Sequence, residues 1–222
     1  MLKNKKIIVG AVLLGISALF LNSCGRWRIK NTNSQGTNII CFGDSITFGH
    51  GAKPGEDYPS LLAKMTRFSI VNAGIDNDTS EEGLKRIDSD ILARSPLLVI
   101  IEFGGNDFLR KCPLQQTVKN VGDMIDRIQA AGAMVALFDI SAGLILSEYR
   151  QAYRNIAMEK GAIFIPGALA GIFTNPDLKS DFIHPNALGY KAIVHRVYRS
   201  VIPYLNQNAI NRDFKKKLSS SK

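Results

Sequence analysis

The chain has 222 residues, of which 45% are hydrophobic and 21% charged. These proportions are typical of globular proteins and exclude a disordered, collagen-like or coiled-coil chain, and the length suits one α/β domain or two small ones. A formal net charge of +9 is compatible with nucleic acid, an anionic membrane surface or acidic ligands as partners. Three cysteines are too few for a disulfide-built scaffold.

Residues 1–23 have the pattern of an export signal. A short positive segment (Lys3, Lys5 and Lys6) precedes an apolar run of 15 residues, Ile7 to Leu21, whereas a membrane-spanning helix needs about 20. The following Leu21-Asn22-Ser23-Cys24 resembles the bacterial lipoprotein signal. The resemblance implies that Cys24 becomes the lipidated first residue of an exported protein of the bacterial cell envelope, on the periplasmic side of the inner or outer membrane. The alternative is an uncleaved signal anchor with an incidental cysteine.

The composition divides the rest of the chain into three parts. Residues 24–37 are mostly polar and suit a tether between the lipid and a domain. Residues 38–205 carry the apolar segments of a single domain, and residues 206–222 are expected to form a basic, flexible tail. Cys41 lies in an apolar run and suits the core, and a Cys41–Cys112 disulfide is an open alternative in an oxidising compartment.

Short apolar runs alternate with longer amphipathic stretches along the domain. The predicted strands are 38–42, 69–72, 97–103, 133–138 and 162–165, and the predicted helices are 57–67, 79–93, 114–131, 147–160 and 186–202. Unbroken Val and Ile runs are typical of strands buried on both faces. This alternation predicts a three-layer α/β/α fold with a doubly wound, mostly parallel five-stranded sheet.

Several chemically useful residues follow the predicted strands. Ser45 follows the first strand, Gly74 the second and Asn106 the third, and Asp181 precedes His184 by three residues far downstream. Ligands bind beyond the carboxyl ends of the strands in such folds. A serine needs a base to become a nucleophile, histidine suits that role at neutral pH, and a nearby carboxylate can orient the imidazole.

These residues lie in four motifs that resemble the blocks of the SGNH (GDSL-type) hydrolases. The motifs are GDSI at 43–46, Asn-x-Gly at 72–74, GGND at 104–107 and DxxHPN at 181–186. The resemblance implies a flavodoxin-like fold and a serine esterase without cofactor or metal. It implies Ser45 as nucleophile, His184 as base and Asp181 as its partner. It also implies an oxyanion hole formed by the Ser45 and Gly74 N–H groups and the Asn106 amide.

The sequence most resembles the bacterial thioesterase, lysophospholipase and arylesterase branch of that family. The resemblance is carried by Asp78-Thr79-Ser80 with Gly83-Leu84, and by 102–110. It implies a small-molecule ester, acyl-thioester or acyl-lipid substrate. Two alternatives remain open: an O-deacetylase of carbohydrate or cell wall, and a non-catalytic binding lipoprotein of the envelope.

Other chemistries fit the sequence poorly. Thr47 replaces the second glycine of a G-x-S-x-G nucleophile elbow, and Walker A and H-E-x-x-H motifs do not occur. The dispersed basic residues show no nucleic-acid-binding motif. Of the three histidines, His50 and His195 lack an obvious ligand partner, which argues against a zinc site.

Overall fold

A five-stranded, entirely parallel sheet forms the centre of the molecule in the computed structural model, which describes residues 27–142 and 146–220. The strands are β1 (Asn38–Gly43), β2 (Ser69–Gly74), β3 (Pro96–Glu102), β4 (Met134–Phe138) and β5 (Ile163–Ile165). Their spatial order is β2-β1-β3-β4-β5. This order is that of flavodoxin-like doubly wound sheets, so the predicted fold is confirmed.

Helices cover both faces of the sheet. They are α1 (Ser45–Phe48), α2 (Tyr58–Met65), α3 (Ser80–Lys85), α4 (Ile87–Asp90), α5 (Gly105–Leu109), α6 (Leu114–Ala130), α7 (Ser147–Lys160) and α8 (Ala187–Ser220), with 3₁₀ turns at Leu92–Arg94 and Pro176–Leu178. Helix α2 packs with α8 on one face, and α6 packs with α3 and α7 on the other. The layers therefore form the expected α/β/α sandwich.

The core centres on strands β3 and β4, which are neighbours in the sheet. Every residue of β3 and β4 is buried, as expected for strands covered by helices on both faces. Cys41 of β1 is fully buried, and burial raises the pKa of its thiol to about 12. Cys41 and Cys112 are both free thiols, so the alternative of a disulfide between them is not observed.

The predicted helix over 79–93 is interrupted at Arg86. The helix begins with a capping box at Thr79, in which Thr79 and Glu82 make reciprocal hydrogen bonds. The helical backbone then breaks at Arg86, whose guanidinium donates to the carbonyls of Gly43 and Ala73 at the ends of β1 and β2. Tertiary contacts of this kind override a local helical pattern.

The segment expected to be a tether is packed on the domain from Trp27 onwards. Trp27 donates its indole N–H to the carbonyl of Ala162, and the backbone N–H of Lys30 donates to Gly161. Ile29 is buried between them. Cys24, the rest of the predicted tether and the export signal lie outside the described residues. In the described ranges, no helix has the length and apolarity that crossing a bilayer requires.

The last helix does not end near residue 202, as the sequence predicts, but continues through Pro203 to Ser220. Pro203 is exposed and removes only one hydrogen bond from the helix. Beyond it, Leu205 is buried in the core, and the amide of Asn208 donates to the carbonyls of Thr32 and Ser34. The expected tail is therefore helical to Ser220, because its inner face binds the 27–37 segment.

We expect Asn208→Ala to lower the free energy of unfolding by about 1–3 kcal/mol, because it removes the amide that donates to the buried carbonyl of Ser34. Urea unfolding followed by circular dichroism measures this change. Asn206→Ala, at an exposed position two residues earlier in the same helix, is the matched control and should change the free energy by no more than about 0.5 kcal/mol. Equal midpoints for the two variants would contradict the role given to Asn208.

Candidate active site

The carboxyl edge of the sheet brings the predicted site residues to one place. Ser45 follows β1 at the start of α1, Gly74 ends β2, and Asn106 lies in α5 directly after β3. The loop before α8 adds Asp181 and His184. Because the strands are parallel, all of these chain segments leave the sheet at the same edge.

Ser45 lies in a tight strand-to-helix turn. Asp44 caps α1 by accepting a hydrogen bond from the backbone N–H of Ile46 at 3.1 Å, a common role for aspartate before a helix. Gly43 is required in this turn, since a Cβ there would lie 2.2 Å from the Thr47 hydroxyl and 2.4 Å from the Glu102 carbonyl oxygen. The turn leaves Ser45 only 8% exposed, with its hydroxyl directed at His184.

Ser45, His184 and Asp181 form one hydrogen-bonded chain. The Nε2 atom of His184 lies 3.1 Å from Ser45 Oγ, and its Nδ1 atom lies 2.8 Å from Asp181 Oδ2. The other carboxylate oxygen, Asp181 Oδ1, accepts from the backbone N–H groups of Ile183 at 2.8 Å and His184 at 2.9 Å. The carboxylate is thus fixed by backbone and orients the imidazole toward the serine.

Asp181 is ionised throughout the neutral pH range. Its slight burial acts to raise the pKa of the carboxyl, but the N–H of Ile183 and the hydrogen bonds from His184 outweigh that effect and lower the pKa to about 2. Hydrogen bonds to a carboxylate favour its charged form in this way. A permanent negative charge therefore lies against the Nδ1 side of the imidazole.

Gly74 and Asn106 flank the serine turn. A Cβ at Gly74 would lie 2.2 Å from the backbone nitrogen of Phe48 in α1, so glycine alone allows this contact. The Gly74 N–H donates to Asn72 Oδ1 at 2.9 Å. The amide of Asn106 donates to the Asp78 carbonyl at 2.9 Å and to Asp44 Oδ2 at 3.2 Å. Both predicted donors are therefore engaged within the protein in this state.

Asp44 and Glu102 are two buried acids beneath the serine turn. Their proximity was not predicted from the sequence. Glu102 is 1% exposed and accepts from the Thr47 hydroxyl at 2.8 Å and from the Asp44 backbone N–H at 3.3 Å. Burial and the nearby charge of Asp44 raise the pKa of Glu102 well above its usual range. Burial likewise raises the pKa of Asp44. The raised pKa of Glu102 favours its protonated form, which avoids two buried charges beneath Ser45.

His50 has a partner that its local sequence does not reveal. Its Nδ1 atom lies 3.1 Å from Asp76 Oδ2, and its ring packs on His184 with centroids 4.0 Å apart. Because Asp76 lies 26 residues further along the chain, only the pairing of β1 with β2 brings the two together.

One group of described residues has ligand atoms close enough to hold a metal ion: His50, Asp181 and His184. The geometry fits a metal poorly. Both ring nitrogens of His184 already face Asp181 and Ser45, and the stacked arrangement of the two rings does not direct their in-plane lone pairs at one point.

Arg86 is another residue near the site that was not predicted from the sequence. Its guanidinium binds the carbonyls of Ala73 at 2.9 Å and Gly43 at 3.1 Å, and it also pairs with Asp78 and Asp90. It lies over the ring of Phe42. These contacts fix the ends of β1 and β2 to the segment that carries Asp78, whose carbonyl accepts from Asn106.

An apolar cavity of about 160 Å³ opens beside Ser45 and Asn106. Most of its walls are hydrophobic side chains: Ile46, Phe108, Leu109, Ile140, Ala142, Leu146, Leu169, Phe173, Phe182 and Ile183. Ala142 and Leu146 belong to the segment between β4 and α7, of which residues 143–145 lie outside the described residues. Phe182 is 89% exposed at the mouth. Such a cavity suits an apolar group attached to a polar reacting centre.

Comparison with known proteins shows that the chain is similar to ester hydrolases. Esterase TesA of Pseudomonas aeruginosa is 27% identical over 199 residues, which cover 85% of this chain and 99% of that protein. The thioesterase 1/protease 1/lysophospholipase L1 of Escherichia coli K12 is 28% identical over 179 residues, which cover 77% and 86% of the two chains. A solved crystal structure of TesA matches with a TM-score of 0.70 at 28% identity, covering 75% of this chain and 99% of that one.

The family match covers most of the domain just described. A model described as the GDSL-like lipase/acylhydrolase family matches residues 41–192, a span that includes every predicted site residue of the domain. The names of the relatives agree with the branch that the sequence resembles. The chain therefore belongs to the GDSL-like lipase/acylhydrolase family and is an SGNH-type ester hydrolase.

Proposed function

We propose that the protein hydrolyses carboxylic esters of apolar acyl groups, and related thioesters, through an acyl-Ser45 intermediate. One observation carries the proposal: His184 Nε2 lies 3.1 Å from Ser45 Oγ while Nδ1 of the same ring lies 2.8 Å from Asp181. Nucleophile, base and orienting carboxylate are thus within hydrogen-bond reach of one another, the geometry that activates a serine.

The acylation step follows from these contacts. His184 Nε2 accepts the proton of Ser45 Oγ as that oxygen attacks the carbonyl carbon of the ester. The imidazolium formed is stabilised by Asp181, which stays ionised because its pKa is lowered to about 2. The tetrahedral intermediate then collapses, and the leaving alcohol or thiol takes the proton from His184. Water deacylates Ser45 by the same two proton transfers.

We propose that three groups donate hydrogen bonds to the oxyanion: the Ser45 N–H, the Gly74 N–H and the Asn106 amide. Preorganised donors of this kind stabilise the negative charge that develops on the carbonyl oxygen. Asn106 can donate an N–H hydrogen bond to the oxyanion by giving up its 3.2 Å bond to Asp44, the longer of its two. Gly74 would exchange its bond to Asn72. The carbonyl oxygen of the substrate thus replaces internal acceptors that hold the donors in position.

The cavity favours an acyl group over an acetylated glycan. Its lining is almost wholly hydrophobic, whereas a glycan deacetylase needs polar groups to bind sugar hydroxyls. A dry cavity of about 150 Å³ accommodates benzene, so the 160 Å³ here suits an acyl segment of similar bulk. A longer chain would extend past the exposed Phe182 at the mouth.

We also propose that the protein is exported and lipid-anchored through Cys24. The support is the sequence pattern alone: the lysine-flanked apolar run that ends at Leu21-Asn22-Ser23-Cys24. Cys24→Ser should abolish incorporation of a clickable palmitate analogue in labelled cells. A wild-type chain that takes up no label would exclude the anchor and leave the hydrolase assignment intact.

We expect Ser45→Ala to lower kcat on p-nitrophenyl esters by about 10³-fold or more, because the residues of such a triad act as a unit. Wild-type protein is assayed on esters of graded chain length to choose the substrate. The control is Ser89→Ala, an exposed serine whose hydroxyl donates hydrogen bonds to the Arg86 carbonyl and the Asp90 carboxylate. Substantial turnover by the Ser45 variant would disprove the mechanism.

We expect Asn106→Ala to lower kcat by about 10²- to 10³-fold, the usual cost of removing one oxyanion donor. Asn106→Asp keeps the shape of the side chain but replaces the amide donor with an acceptor, so it should lose at least as much activity. Thermal unfolding verifies that both variants fold. If both turn over substrate at the wild-type rate, Asn106 serves the turn geometry alone.

We expect Asp181→Asn to lower kcat by up to about 10⁴-fold and to move the acid limb of the kcat/KM profile to lower pH. The sign follows from charge: without the carboxylate, the imidazolium of His184 loses its stabilising partner and releases its proton more readily. Since Asp181 itself titrates near pH 2, it contributes no limb between pH 4 and 8. An acid limb that stays at the same pH would argue against this partnership.

A further inference from the structure

The first described residues lie at the edge of the sheet opposite to the active site. The Lys30 N–H donates to the Gly161 carbonyl and the Asn31 amide to the Ala133 carbonyl. Gly161 and Ala133 directly precede β5 and β4, so both carbonyls lie at the amino edge of the sheet. Ser45 and His184 lie at the carboxyl edge. The chain therefore enters the domain on the side away from the cavity.

The lipid anchor proposed at Cys24 is separated from this point by a very short segment. From Cys24 to Trp27 an extended chain spans at most about 11 Å, and from Trp27 onwards the chain is fixed to the domain. The sheet between its two edges is about 20 Å deep, since β1 has six residues at about 3.3 Å each. An anchor this short keeps the amino edge, and not the cavity, next to the bilayer.

Helix α8 adds a second feature to the same edge. It begins beside the active site, where the Tyr190 hydroxyl donates to the His50 carbonyl, and its 34 residues span about 51 Å. It therefore passes the full depth of the sheet. At the amino edge, its residues Asn208 and Arg212 bind carbonyls of the segment 32–36.

The far end of α8 carries apolar and basic side chains that face solvent. Ile210 and Phe214, one turn apart, are 68% and 64% exposed, and Lys215 and Lys216 follow directly and are exposed. Helical segments that bind the headgroup region of an anionic bilayer combine exposed apolar residues with adjacent lysines in this way. Two more exposed basic residues, Arg28 and Lys30, lie at the chain entry on the same edge of the sheet.

We propose that this amino-edge surface binds an anionic lipid bilayer and that the active-site cavity consequently opens away from the membrane that anchors the protein. We call the surface the anchor face and define it by Arg28, Lys30, Ile210, Phe214, Lys215 and Lys216. The inference rests on the proposed Cys24 anchor. It implies that ester substrates reach the enzyme from the aqueous phase or from an opposing surface, and not by lateral diffusion in the anchoring bilayer.

The test uses the processed, lipidated chain reconstituted into vesicles of phosphatidylcholine with or without phosphatidylglycerol. Trp27 is the one tryptophan of the sequence, so Trp27→Phe provides a silent background. Phe214→Trp and Leu188→Trp then place one reporter at each end of α8, about 39 Å apart along the helix. Leu188 is 54% exposed at the active-site end, which makes it a matched control.

Brominated lipid should quench the reporter at position 214 at least fivefold more than the reporter at 188. In anionic vesicles, Lys215→Glu with Lys216→Glu should lower the quenching at 214. The same charge change at the opposite edge, Lys53→Glu with Lys111→Glu, should leave it unaltered. Ester hydrolysis of a soluble substrate by each variant shows that the domain is folded.

Three results would overturn the proposal. Equal or stronger quenching at position 188 would place the cavity at the membrane. If the charge reversal leaves the quenching at 214 unchanged, anionic lipid is excluded as the partner. Quenching at neither position, with chains cross-linked as dimers through Lys215 and Lys216, would assign the face to a second copy. A chain that does not float with vesicles would refute the anchor itself, while its esterase activity would stand.

Discussion

The whole site depends on the parallel pairing of β1 with β2 and β3. Gly43 at the end of β1 pairs with Gly74 and with Glu102, so three chain segments leave the sheet at one level. A parallel register of this kind brings groups distant in sequence to the same edge. The positions of the serine turn, of the three proposed oxyanion donors and of the buried acid beneath them are consequences of that alignment.

The site edge is held in place by polar groups that take no part in the proposed chemistry. Arg86 joins the ends of β1 and β2, and Glu102 holds the turn from below through Thr47 and Asp44. Asp107 binds Ser80 and Thr117 in the interior. Buried polar groups with all partners present make a local structure rigid. Rigidity matters here because the serine and its base must keep a hydrogen-bonding distance.

The sequence was sufficient to predict the fold, because buried parallel strands have short, unbroken apolar runs and the helices between them are amphipathic. The residues of the serine turn and of the DxxH segment could also be predicted, since each lies in a short motif. His50 with Asp76, and Arg86 with the strand ends, could not be predicted, because their partners are distant in sequence. The extension of α8 past Pro203 was missed because its cause is tertiary: Asn208 binds a segment 174 to 176 residues away.

The central claim is that Ser45 is the residue acylated by the substrate. Incubation with a fluorophosphonate, followed by proteolysis and mass spectrometry, identifies the modified residue directly, because the phosphonyl group stays on the attacking oxygen. The account predicts a single adduct on the peptide that contains Ser45, formed far more slowly in the His184→Ala variant, which lacks the base 3.1 Å from Ser45 Oγ. An adduct on any other residue, or labelling of Ser45 at an equal rate without His184, would contradict it.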